Sequence, residues 1–520
     1  MKKNILILIT IWGLIATSCS SDFLETHSTQ GVDEGNIFTT TGNANIAFEG
    51  VLKLMYVRGS SQNYSGYETM LIMSEMMGDD VIFAAVGSTS YYKTSYQWSL
   101  HRNITSAMMN YCYLYHYKII ANVNLIIANI DNAEGNQIDR DRIKGEALVL
   151  RAAHYFNLVR MWAKRYDYES GQVNEQQGVP LILDIETGET PQPQSSVEKV
   201  YEAIYKDLED AIVLLEVTHT RTNKIHPNQS VAHGLLSRVA LTMGRWQDAA
   251  EHARAARTGE YQLDSDIYIQ KPGRFHDQSN PEWMWGVKRI VAENDGFYTF
   301  HCFMGNTDAI VTRQSPKCIY NWLYHKMSGT DVRKGCFAAT KEIANNPDLF
   351  TRPTYDPAKP TNNQVPAYFN NKFMVPARND PQVDCPYMRV AEMYLNEAEA
   401  LARLNNRDGE AQQVLFELTN FRDPSYVKSA NTGEALLEEI LLQRRFELWG
   451  EGHRWFDLKR MNLPLSRNLS ATLPNGGTEA TNHAQATAQV MEVLAGDVRW
   501  QFVFSDNELD NNPFIVQNEL

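Results

Sequence analysis

An all-α fold built of helical pairs, with one long loop-rich insertion, is predicted by three observations. Apolar residues recur at helical spacing through most of the chain, as in Met108 to Ile130, where Tyr111, Leu114, Tyr115, Ile119, Val123, Leu125 and Ile126 leave no wide polar face. Alanines alternate with large apolar residues in consecutive helical stretches, the small-large pattern of tetratricopeptide-like hairpins. The exception is Asp264 to Cys385, which is rich in Gly, Pro, Asn, Asp and aromatics and breaks the helical pattern. So long a loop region in a compact protein is usually functional or disordered, and its aromatic density argues against disorder.

The chain begins with Met1-Lys2-Lys3 and an apolar run from Ile5 to Ile15, the length of a signal-peptide core rather than of a membrane span. Leu14-Ile15-Ala16-Thr17-Ser18-Cys19 has the form of a bacterial lipobox. Residues 1–18 are therefore expected to be removed as a lipoprotein signal peptide and Cys19 to be acylated, several acyl chains making a stable anchor where one is marginal. Residues 19–35 read as a polar tether, and 36–520 as one domain.

Within that domain, Asn43 to Tyr56 and Tyr67 to Met77 read as amphipathic helices around the break Gly59 to Gly66. Val81 to Asn103 reads as an aromatic loop. Helical pairs follow over 142–258: Arg142 to Ala163 with Ser196 to Glu216, where Ser196 is the expected N-cap, then Ser230 to Met243 with Arg245 to Thr258 around Gly244. A second set, over 387–461, comprises Tyr387 to Leu404 and Gly409 to Asn420, closed by the helix from Thr432 onward. Trp500 to Phe504 is compatible with a short strand.

The closing stretch, Glu438 to Met461, carries an apolar stripe of Leu441, Leu448 and Trp455. Arg444, Glu447, Glu451 and Arg454 fall at steps of three, four and three, which predicts ion pairs stacked along one helix face. Gly450 and Gly452 in its middle predict a kink, a helix end or a close backbone approach.

A formal net charge of −14 disfavours nucleic acid as a partner, and 43% hydrophobic content suffices for an extended core. Beyond Cys19 the cysteines are Cys112, Cys302, Cys318, Cys336 and Cys385; odd in number and far apart, they indicate neither a zinc site nor a disulfide framework, and buried thiols are expected. There is no H-E-x-x-H, G-x-S-x-G or G-x-x-x-x-G-K-[ST] motif, so no enzyme activity, cofactor or metal is predicted. Asp79-Asp80 is a carboxylate pair whose separation in space decides whether it could serve as glycosidase acids. Asp264-Ser265-Asp266 lacks the rest of a calcium loop.

Four blocks in order resemble the SusD/RagB family of surface glycan-binding lipoproteins. They are Gly145 to Phe156 with Gly178-Val179-Pro180-Leu181, Leu236 to Leu241 with Gly244-Arg245-Trp246, Arg389 to Glu399, and Glu438 to Met461. Ser20-Ser21-Asp22-Phe23-Leu24-Glu25 after the lipobox is similar to the start of such mature proteins and to a surface-export signal. The resemblance implies a tetratricopeptide-like scaffold, an outer-membrane location facing outward through the lipid anchor, and a TonB-dependent SusC-like barrel as the partner to which captured nutrient is delivered. Most relatives serve glycans and some serve peptides; a pure protein–protein scaffold is the remaining alternative.

Sugar rings present apolar C–H faces that stack on aromatic rings, and their hydroxyls need fixed polar partners. On that chemistry the candidate glycan-binding residues are Tyr91, Tyr92, Tyr96 and Trp98 with Arg102, followed by Tyr298, Phe300 and Trp322. The reading requires these rings to be exposed.

Overall fold

The structure is a computed structural model and describes residues 37–84, 87, 91–216, 221, 223–264, 266–268, 275–289, 299–305, 312, 314–346, 348–350, 364–375 and 383–520. The expected signal peptide, the Cys19 anchor and the whole of the tether lie outside the described residues.

Eleven longer helices make the framework. They are α1 (Thr41–Leu54), α2 (Tyr67–Met77), α3 (Ala107–Asn129), α4 (Gln137–Trp162), α5 (Val197–Leu214), α6 (Gln229–Met243), α7 (Trp246–Arg257), α8 (Val390–Ala402), α9 (Asp408–Arg422), α10 (Gly433–Glu447) and α11 (Arg454–Arg460). Each of α3 to α8 packs on the next, and α9 and α10 both pack on α8, so the array is continuous although the insertion separates α7 from α8 in sequence. The small residues explain the close approach: Ala249, Ala250, Ala253 and Ala256 of α7 and Ala391, Ala398 and Ala400 of α8 are buried.

Local signals set the helix ends. Ser196 caps α5 by accepting from the Lys199 amide at 3.4 Å, and Asn228 caps α6 through the Val231 amide at 3.1 Å. Gly244, at φ 72°, ends α6 in the left-handed conformation that a side chain would oppose. Among the described residues no helix is long and apolar enough to cross a membrane.

The insertion is less irregular than its composition suggests. Six of the ten short strands among the described residues are β1 (Val81–Phe83), β2 (Gln177–Pro180), β3 (Gln194–Ser196), β4 (Trp283–Val287), β5 (Lys317–Ile319) and β6 (Cys385–Arg389), and β4, β5 and the start of β6 fall in the insertion. β4 pairs antiparallel with β6, Val287 opposite Cys385, so the chain that leaves at β4 returns beside the start of α8. The helix expected from Tyr387 thus begins at Val390, because Cys385–Arg389 is fully buried and needs a ladder partner for its backbone. β1 pairs with β5 and ties the Val81 loop to the insertion. Trp500 to Phe504 forms no strand; Phe502 and Val503 instead donate their amides to Met161 O and His101 O, both at 3.0 Å. Cys112, Cys302, Cys318, Cys336 and Cys385 are buried free thiols.

The closing stretch corrects the expected ion-pair ladder. α10 ends at Glu447, and Gly450 (φ 80°) and Gly452 (φ 90°) turn the chain before α11. A Cβ at Gly450 would meet the Phe373 ring at 2.6 Å and one at Gly452 would meet Leu71 at 2.7 Å, so both glycines are needed for conformation and for space. With the helix broken, the four charges no longer face one another. Arg444 pairs with Asp457 at 2.7 Å, and Arg454 with Asp79 at 2.6 Å. Glu447 meets Arg389 (3.1 Å), Arg422 (3.1 Å) and Arg333 (3.3 Å), while Glu451 meets Arg389 and Lys372, both at 2.6 Å. Glu282 bonds both Arg389 (2.7 Å) and Arg422 (2.5 Å), and Asp331 bonds Arg333 at 2.7 Å. This buried cluster holds four cations (Arg333, Lys372, Arg389, Arg422) and four carboxylates (Glu282, Asp331, Glu447, Glu451), and so is charge-balanced. Burial disfavours the Glu447 anion, but Arg422, Arg389 and Arg333 hold its pKa below the usual carboxylate range.

Candidate functional site

The sequence places rings in two loop segments, and the structure brings those segments together while turning most of the rings inward. Tyr92 (2% exposed), Tyr96 (0%) and Trp98 (2%) are core residues, which corrects the expectation that they offer faces to a ligand. The reason lies in their polar handles as well as their area. Tyr92 donates to Asn63 O at 3.1 Å, Tyr96 lies 2.6 Å from His483 Nδ1, and the Trp98 indole donates to Met77 O at 2.8 Å. Tyr92 (φ 64°) and Trp98 (φ 56°) adopt left-handed backbone, a strained choice for aromatic residues that aims both rings at the core.

Arg102 is likewise structural: its guanidinium donates to Val498 O (3.2 Å), Gln501 O (2.7 Å) and Glu519 O, and so anchors the C-terminal segment. Phe300 is buried and edge-on to Phe373, at 5.0 Å and 89°. Tyr298 lies outside the described residues. Tyr91 and Trp322 alone among the described candidate rings stay half-buried. Tyr91 packs edge-on against Phe303 at 5.7 Å.

A line of ring contacts joins the two segments. Phe83, Tyr96, His483, Tyr320 and Trp322 follow one another at centroid distances of 6.0, 5.8, 4.7 and 6.2 Å. Trp322 stands on the short helix Asn321–Lys326, directly after β5. Arg445 of α10 lies over its ring at 4.9 Å and is itself held by buried Asp80 at 2.6 Å, so a partly buried ion pair backs the indole. Lys326 Nζ is 5.3 Å from the same ring.

Polar groups border this ring. His325 Nε2 is 3.1 Å from the Tyr368 hydroxyl, which donates to Glu479 at 2.6 Å, and Tyr324 packs edge-on to Tyr368 at 5.3 Å. Tyr368 has φ 62°, a third aromatic in left-handed backbone. His325 and Glu479 are half-buried and Lys326 is exposed, so charged donors and acceptors surround one accessible indole.

Sequence reasoning missed Tyr64 and Tyr111. Their rings stack at 4.3 Å and 8°, both half-buried, and Asn63 beside Tyr64 accepts the Tyr92 hydroxyl bond. Tyr64 sits in the segment read as a Gly/Ser break, and Tyr111 counted towards a central helix; only the fold pairs them.

The glycosidase option for Asp79-Asp80 fails on partners. Arg454 takes Asp79 at 2.6 Å and Arg445 takes Asp80 at 2.6 Å, both carboxylates being buried. Burial works against the Asp79 anion, yet Arg454 and Arg445 hold its pKa well below the usual range. A cleft of about 1050 Å³ lies elsewhere, between α1, the start of α4 and the segment before α6. Its described lining includes Glu49, Arg142, Glu146 and His226 but no Trp, Tyr or Phe, so it lacks a stacking surface. Among the described residues no group of three or more His, Cys, Asp or Glu side chains could hold a metal ion.

A helical-pair scaffold carrying an irregular ring-lined face defines the structural class. A sequence model of the SusD family matches residues 313–520, and one described as "Starch-binding associating with outer membrane" matches residues 22–241. The chain belongs to the SusD family. It is 22% identical to SusD-like protein P2 of Formosa agariphila, over 97% of this chain and 99% of that protein. A SusD-like carbohydrate binding protein from Bacteroides vulgatus superposes with a TM-score of 0.76 at 25% identity, covering 92% of this chain and 97% of that one. Surface glycan-binding protein A from Bacteroides thetaiotaomicron, solved in complex with laminarihexaose, shares the fold with a TM-score of 0.65 at 15% identity, covering 92% and 100%.

Proposed function

We propose that this chain is a non-enzymatic, lipid-anchored outer-membrane protein that captures glycan and passes it to a TonB-dependent SusC-like barrel. Family membership and the outer-membrane association named in the matching description support the location, and Cys19 is the residue we assign to acylation. The observation that carries the binding reading is Trp322: a half-buried indole, immobilised by Arg445 and bordered by His325, Lys326, Glu479 and Tyr368. Such a site costs little side-chain entropy on binding, because its ring is already fixed. Tyr91 and the Tyr64–Tyr111 stack, also half-buried, are assigned as secondary platforms.

The test is calorimetry of the protein with a panel of oligosaccharides and peptides, followed by Trp322→Ala. Loss of at least tenfold in glycan affinity, about 1.4 kcal/mol, is expected. Unchanged affinity removes Trp322 from the site, and peptide binding without glycan binding replaces the ligand class. Cys19→Ser is expected to move the protein from the membrane to the soluble fraction.

A further inference from the structure

Two histidine pairs bring their Nδ1 atoms within 2.9 Å of each other: His116 and His154 do so in the dry core, and a second pair does so where water can reach it. His233 of α6 and His252 of α7 face each other across the hairpin turned at Gly244, and their Nδ1 atoms are 2.9 Å apart. The rings stack at 5.1 Å between centroids with 30° between planes, and both residues are half-buried, so water reaches the pair. Two imidazole nitrogens that each sit ~2.05 Å from a metal, in adjacent positions of a tetragonal site, are ~2.9 Å apart.

We propose that His233 and His252 form a cross-helix chelate for a nitrogen-preferring divalent transition metal, Cu²⁺ above Ni²⁺ or Zn²⁺, with water completing the coordination. Without metal, one Nδ1 carries the proton that the other accepts; on binding that proton moves through water to Nε2 of its own ring, so both ligands stay neutral, and rotation about each Cβ–Cγ bond turns both lone pairs onto the ion. The surroundings favour a cation. Asp248 and Glu251 of α7 and Glu209 of α5 all act on His252 as negative charges, and none of them ion-pairs with either histidine. Burial lowers the pKa of both imidazoles, that of His233 to about 4, so each is a neutral ligand at pH 7. Copper is preferred over its neighbours by intrinsic affinity for such ligands.

The experiment is titration of the full chain with CuCl₂ at pH 7.5, read by calorimetry and by electron paramagnetic resonance. One equivalent should bind with hyperfine structure from two nitrogens, and His233→Ala and His252→Gln should each weaken that site at least tenfold. Cu²⁺ should also raise the melting temperature of the wild type but not of His252→Gln. Equal binding by both variants and the wild type, or no stoichiometric site in the wild type, overturns the proposal. If His233→Ala does not fold, His252→Gln decides it alone.

Discussion

The charge cluster around Glu447 and the rim around Trp322 use the same kinds of side chain in opposite ways. In the cluster, arginines and carboxylates are taken fully out of water and spend their bonding on one another, fixing the insertion to the last helices. At the rim, one arginine, Arg445, is drawn inward by Asp80 so that a tryptophan can remain partly exposed. The difference teaches that residue type does not tell which chemistry is structural here: the conspicuous charges hold the fold together, and the conspicuous rings mostly do too.

Glu447→Ala should break the comparison hardest. It removes the one carboxylate that Arg333, Arg389 and Arg422 all meet, and a loss of about 5 kcal/mol is expected in chemical denaturation. Trp98→Ala comes next, at about 4 kcal/mol, because it empties a core position and orphans Met77 O. If Trp98→Ala instead weakens glycan binding with stability unchanged, the assignment of that ring to the core fails.

A third test sharpens the contrast through pH. His226 sits between Glu146 (2.7 Å) and Glu49 (3.1 Å), tying α1 to α4. Burial opposes its charge, but the two carboxylates raise its pKa to about 9. Its contribution is therefore fully present below about pH 6.5 and is lost as pH rises through 9. Discounted for the half-exposed Glu49, this amounts to about 2 kcal/mol, and His226→Gln should flatten the stability profile across that window. The smallest effect is expected for Trp322→Ala, under about 1 kcal/mol in stability, since that ring is only half-buried.

Much of the scaffold was legible before the structure. Tyr67–Met77 has the boundaries read from sequence, Ser196 caps its helix, and Gly244 makes the hairpin turn, because periodicity, caps and glycines act locally. What was not legible depends on distant partners. The β4–β6 ladder joins residues about a hundred positions apart, and Arg389 reads as an ordinary charge until Glu282, Glu447 and Glu451 surround it. The rings failed for a related reason: an aromatic in a Ser/Thr-rich loop looks exposed, yet left-handed backbone at Tyr92 and Trp98 folds both into the core. Trp322 belonged to the same list, and its neighbour Arg445 lies 123 positions later in the chain, so its surroundings were equally hidden from the sequence.

The pairing of Val287 with Cys385 has a consequence for how such proteins diversify. The polypeptide between those residues leaves and re-enters the helical array at adjacent points, so its ends are held close whatever its length, and lengthening it adds closure entropy only slowly. Residues 288–384 are therefore exchangeable only together with their anchors: a chimaera that swaps this segment should keep the array where the donor supplies partners equivalent to Arg333 and Lys372 for Glu447 and Glu451.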